Sequence, residues 1–106
     1  MVKTILTEAG FTEGKTFKET RFLKPPKTTY AIYLDSLDSR GSDDLNLIEE
    51  HTYTIELYAY TADATAEANI EKTLKSRGIE FTKQPRDWLE TEQLYMTVYN
   101  FDYIKK

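Results

Sequence analysis

The sequence predicts an α+β domain: about four mostly antiparallel strands in one sheet, two helices packed on one face of it, and the order α-β-β-α-β-β. Three observations predict it. Two segments carry apolar residues at helical spacing, and each ends on a glycine. Other segments alternate apolar and polar residues with a period of two, the mark of half-buried strands. All eight tyrosines fall inside three of these: Tyr30 and Tyr33; Tyr53, Tyr58 and Tyr60; Tyr95, Tyr99 and Tyr103.

The first helix occupies residues 1–10. Val2, Ile5, Leu6 and Ala9 form one stripe, Gly10 supplies a left-handed stop, and Phe11 is set to fold back on Leu6. Residues 11–27 read as a basic extended arm. Between positions 15 and 27, Lys15, Lys18, Arg21, Lys24 and Lys27 stand against only Glu19, Pro25-Pro26 imposes extended backbone, and Phe17 and Phe22 are candidate anchors. The first strand spans Thr28–Leu34. A long acidic loop, Asp35–Asn46, follows, and a second strand covers His51–Tyr60. Asp63 is the N-cap of the second helix, whose buried stripe is Ala66, Ile70, Thr73 and Leu74. Gly78 stops it with Ile79 meeting Leu74, and Glu71 and Lys75 are spaced as an i, i+4 pair. Two further strands, Ile79–Lys83 and Leu94–Tyr103, complete a single domain over residues 1–106, with residues 28–106 forming the sheet and second helix.

Resolving each strand into its two faces predicts an aliphatic side (Ile32, Leu34, Ile55, Leu57, Leu94, Met96, Val98) under the helices. The opposite side carries Tyr33, Tyr58, Tyr60, Tyr95, Tyr99, Phe101 and Tyr103. Seven aromatics on one uncovered face point to a protein contact, because contiguous apolar patches are uncommon on monomers. Asn100 and Asp102 would then fall on the aliphatic side, so the core ends near Val98 or a bulge intervenes.

The residue inventory excludes several chemistries. There is no cysteine, so neither disulfides nor thiolate metal sites are available, and a reducing, cytoplasmic place of synthesis is expected. The one histidine, His51, lacks the companions of a metal or catalytic site. Aligned on Gly41, the acidic loop puts Ser36 and Arg40 where an EF-hand needs oxygen ligands, so that motif fails. Glycines 10, 14, 41 and 78 are too scattered for a phosphate loop. No catalytic residue, metal or cofactor is predicted. No apolar run is long enough to span a membrane, and a net charge of −4 argues against general nucleic-acid binding. The basic arm and the acidic loop are complementary. A head-to-tail assembly could bring one subunit's arm to its neighbour's loop.

Several stretches together carry a family likeness. They are Pro26–Tyr33, the loop Arg40-Gly41-Ser42-Asp43-Asp44, His51–Tyr60, the helix ending at Gly78, and Trp88–Tyr95 leading into Tyr99 and Phe101. In size, order and residue type they resemble the small tail-terminator and tail-completion (head-tail joining) proteins of long-tailed bacteriophages and prophages. The likeness runs over most of residues 22–103, and residues 1–21 match only as a generic helix and linker. It implies a non-enzymatic virion assembly protein that forms a ring, commonly a hexamer, at the head-proximal end of the tail. Its partners would be further copies of itself, the tail-tube protein and head connector proteins. Its location would be the host cytoplasm during assembly and then the head-tail junction. Subunit and tube contacts would come from Tyr33, Tyr58, Tyr60, Tyr95, Tyr99, Phe101 and Tyr103, and from Asp35, Asp38, Arg40, Asp43 and Asp44 of the loop. A homodimeric adaptor or regulatory module burying the same tyrosine face is the alternative.

Overall fold

Both helices end where their glycines predict. In the computed structural model, which describes residues 2–40 and 48–105, α1 is Val2–Glu8 and α2 is Ala64–Ser76. The side chains of 37–40, 48–50 and 103–105 lie outside that description. Gly10 and Gly78 have φ of +103° and +69°. Phe11 N–H donates to Leu6 O and Ile79 N–H to Leu74 O, each at 3.0 Å, which closes two Schellman motifs. At the other end of α2, the Asp63 carboxylate accepts the Ala66 N–H at 3.0 Å and the Thr29 hydroxyl at 2.7 Å. The cap thus also ties the helix to the entrance of the sheet.

The predicted strand count and order are wrong. The chain runs α-β-β-β-α-β-β-β, with six strands in one mixed sheet: β1 Phe17–Glu19, β2 Tyr30–Arg40, β3 Ile48–Ala59, β4 Thr82–Lys83, β5 Asp87–Leu89 and β6 Leu94–Lys105. Their spatial order is β1-β2-β3-β6-β4, with β5 also paired to β6. Each discrepancy has a local cause. β1 comes from the supposed free arm and pairs parallel with β2, Phe17 opposite Ala31, an arrangement no short-range pattern announces. β5 folds back on β6 through a turn with Gln93 at φ +56°, where a glycine or asparagine would have signalled a hairpin. The supposed loop 35–46 is strand as far as Arg40, because β2 stays in register with β3 from Tyr30↔Tyr58 to Arg40↔Ile48.

The face assignment is also corrected. On β3 it stands: Ile55 and Leu57 are buried in the core with Tyr53. On β2 and β6 it is inverted. Register places Tyr33 opposite Ile55 and Ile55 opposite Tyr99, while Tyr53 sits opposite Phe101. Opposed residues share a face. Tyr33, Tyr99 and Phe101 therefore lie with Ala31 under α1 and α2, in one cluster with Val2, Ile5, Leu6, Phe17, Ile70 and Leu74. Tyrosine suits such a layer because the ring can be buried while the hydroxyl reaches a polar rim. The pairing of β6 with β3 runs unbroken from Tyr95 to Lys105, so no bulge intervenes.

The residues that were to meet the helices, Ile32, Leu94, Met96 and Val98, occupy the other side. A parallel β1–β2 pair obliges the connection to return along the sheet, and residues 20–29 do so across this second face. Phe22 stacks edge-on against Tyr30 (5.6 Å, 84°), and Tyr30 lies flat on Tyr58 (5.1 Å, 19°). This second, smaller cluster also buries Ile32 and Leu94.

Candidate interaction surface

Three long strands run on past the last core residues. Among described side chains the core stops at Tyr33 on β2, Tyr53 on β3 and Phe101 on β6. The pairing continues to Arg40, Ile48 and Lys105. A twelve-residue strand is about 40 Å long, and the molecule is correspondingly elongated, 48 × 29 × 24 Å. This three-stranded ribbon is the least covered part of the sheet. Leu34, Asp35, Ser36, Thr52 and Asp102 are all exposed.

Polar cross-strand contacts hold the ribbon. On one face the Asp35 carboxylate lies 2.9 Å from His51 Nδ1, and the His51 ring stacks on Tyr53 at 5.4 Å. On the other, the Thr54 hydroxyl donates to Asn100 Oδ1 (2.8 Å) and the Thr52 hydroxyl to Asp102 Oδ1 (3.0 Å). The single histidine thus braces two strands.

Among the described residues the ribbon's outer edges are bare. β1 pairs with β2 only over Ala31–Tyr33, and β4 and β5 pair with β6 only up to Asn100. Among the described residues no strand covers the edge of β2 from Leu34 to Arg40 or that of β6 from Phe101 to Lys105. Unpaired N–H and C=O rows of this kind are templates for another chain.

A second polar cluster fastens the opposite end of the sheet. Glu67, buried on α2, accepts from Lys83 Nζ (3.0 Å), Arg86 Nε (2.6 Å) and the Thr97 hydroxyl (3.2 Å). Glu71 accepts from Lys83 Nζ (2.8 Å) and the Tyr99 hydroxyl (2.9 Å), so the expected Glu71–Lys75 pairing gives way to a contact across the layers. Burial pushes both carboxyls up, but hydrogen bonds from Arg86 and Lys83 to Glu67, and from Lys83 and Tyr99 to Glu71, outweigh it and hold both below the ordinary range. Burial, reinforced by the bond to Glu71, drives the Tyr99 hydroxyl far above its usual value. Every charge in the cluster has a partner, and the geometry is that of a clamp holding the β4–β5 strap to α2.

The sequence-predicted contact residues are scattered by this fold. Tyr33, Tyr99 and Phe101 are core, with 4%, 0% and 3% of their surface exposed. Tyr58 is half-buried on the second face, its hydroxyl donating to Glu56 Oε1 at 2.9 Å, and burial followed by that bond raises its pKa strongly. Tyr60 is exposed and donates to Pro26 O at 3.1 Å, while Tyr95 stands edge-on to the exposed Trp88 (4.8 Å). Tyr103 is opposite His51 in the ribbon, and its side chain lies outside the described residues. Asp35 belongs to the ribbon, as do Asp38 and Arg40 by backbone, whereas Asp43 and Asp44 lie outside the described residues. The tyrosine face is thus no continuous surface. The ribbon edges, which sequence reading missed, take its place.

No described helix is long and apolar enough to cross a membrane. Comparison of the sequence with protein-family models and with curated proteins finds no match to either.

Proposed function

We propose that this chain is a non-enzymatic assembly subunit of a phage or prophage virion, a tail-terminator or tail-completion protein that works as a ring at the head-tail junction. The observation that carries the reading is the ribbon, with a bare strand edge on each side. A subunit that must join two neighbours through two different surfaces needs two distinct, non-self-identical edges, and a heterologous contact of that kind closes into a ring when the rotation from copy to copy divides a full turn. The likeness in residues 22–103 to tail-completion proteins supplies the assembly context. Burial of Tyr33, Tyr99 and Phe101 removes the tyrosine face as the contact for the ring and for the homodimeric alternative alike, and particle mass separates a dimer joined by paired strand edges from a ring. The partners on this reading are further copies of the chain, the tail-tube protein and the head connector.

The test is the mass and shape of the particle, alone and with purified tail tubes, by light scattering and negative-stain imaging. A closed ring, free or capping tube ends, is the expected result. Monomers that ignore tube ends, or a stable dimer in both conditions, would overturn the reading.

A further inference from the structure

Backbone directions on the two bare edges are set by the bonds beside them. Ala31 N–H donates to Thr16 O, and Tyr33 O accepts from Thr20 N–H. Odd-numbered residues of β2 therefore turn their N–H and C=O outward, and the alternation carries on to Asp35, Leu37 and Ser39. On the far side, Val98 O accepts from Gln84 N–H. Even-numbered residues of β6 therefore turn outward, which gives Asp102 and Ile104. Both β2 and β6 run antiparallel to β3, so they run parallel to each other. A second copy, turned about an axis roughly along the strands, can set its β2 beside the first copy's β6 and continue the sheet with both helix layers on the same side.

We propose that the ring is joined in this way: the β2 edge of one copy, Leu34–Arg40, pairs in parallel with the β6 edge of the next, Phe101–Lys105. The inference rests on the ring reading above and specifies its contact. Charge favours this pairing over like with like. The β2 segment carries Asp35 and Asp38 against Arg40, while the β6 segment balances Asp102 with Lys105. Two β2 edges would each bring a net charge of −1 to the contact, whereas the β6 segment is neutral, so joining β2 to β6 avoids that repulsion. Neither segment contains a proline, which would remove an edge N–H.

The chain has no cysteine, which makes disulfide trapping clean. Ser36 and Asp102 are both exposed and both lie opposite Thr52, one on either side of β3. Within one copy they are two strand spacings apart, about 9–10 Å, beyond the roughly 7 Å that a disulfide can bridge. Any bond between Ser36→Cys and Asp102→Cys must then join two copies, and Leu34→Cys with Asp102→Cys samples the neighbouring register. Under mild oxidation at least one double variant should give a ladder of covalent oligomers ending at the ring size, while each single variant stays uncrosslinked. Leu37→Pro removes one outward N–H and no bond to β3, and should weaken ring assembly roughly tenfold, with the monomer's circular dichroism unchanged. Rings that form with no crosslink in either double variant, or that form normally with Leu37→Pro, overturn the edge pairing and leave the ring reading standing. Crosslinked dimers of the single variants overturn it in favour of two-fold pairing. Particles with neither rings nor crosslinks remove both readings.

Discussion

Tyr99 shows how one side chain can be misread from pattern and still be explicable from chemistry. Its ring is wholly buried between the sheet and α2, its hydroxyl bonds Glu71, and Lys83 Nζ sits 5.9 Å from its ring centre. Replacing it with alanine should cost about 3–5 kcal/mol, the range for emptying a large aromatic site. Tyr99→Phe keeps the ring and should cost less, about 1.5–3 kcal/mol for the lost bond to a charged acceptor. Urea unfolding of the two variants checks both, and near-equal losses would show that the hydroxyl rather than the ring dominates. The same cluster sets a pH dependence at both ends. Glu67 and Glu71 titrate lower in the fold than when unfolded, so their contribution is complete above the ordinary carboxylate value of about 4.5 and drains away as pH falls through the lower folded values. Tyr99 is raised, so its contribution holds below about 10 and is lost as pH climbs past it. Glu67→Gln should flatten part of the acid limb of a stability–pH curve, and Tyr99→Phe should flatten part of the alkaline limb.

At the scale of elements, the helices were readable from end to end and the sheet was readable only in part. Caps and glycine stops are local, so Asp63, Gly10 and Gly78 announce themselves in sequence. β1 is not local. It exists because Phe17 fills the space between α1 and β2, and three parallel rungs follow from that burial. Phe17→Ala should therefore release β1 as a unit. Amide exchange at Ala31, whose N–H bonds Thr16 O, should speed up far more than exchange at Ile55 in the central strand. Equal acceleration at both would mean global loss rather than release of the edge. Asp63→Ala removes the cap and the link to Thr29, and should cost about 1–2 kcal/mol in thermal or urea unfolding.

For the whole molecule, the faces of β2 and β6 were the part that pattern could not decide. Counting aliphatic residues put Ile32, Met96 and Val98 against the helices. Polar residues of the same parity, Ser36 on β2 and Asn100 and Asp102 on β6, were the signal for the reverse. They were outvoted because nothing in the sequence shows that residues 20–29 cross the second face and cover Ile32 and Leu94. Both sides of this sheet are partly covered, so both carry apolar residues, and period alone cannot rank them. The ribbon gives the corresponding large-scale prediction. If charged edges help join the subunits, the concentration at which rings form should rise with ionic strength between about 0.05 and 0.5 M salt, as screening shortens with added ions. Analytical ultracentrifugation across that range checks it. A salt-independent assembly would put the contact on main-chain pairing without a contribution from the charged side chains.

Sequence alone determined the two helices and their ends, the core stripe of β3, and an inventory with no cysteine and one histidine. Each of these depends on residues within a turn or two of one another, or on composition. Tertiary structure decided which face of β2 and β6 is core, that the arm supplies a strand, and that the acidic segment begins as a paired ribbon with open edges. Those outcomes depend on register and on what lies across the sheet. Because a strand's side-chain period is two, a single choice of face moves Tyr33 on β2 and Tyr99 on β6 together with their strands from surface to core.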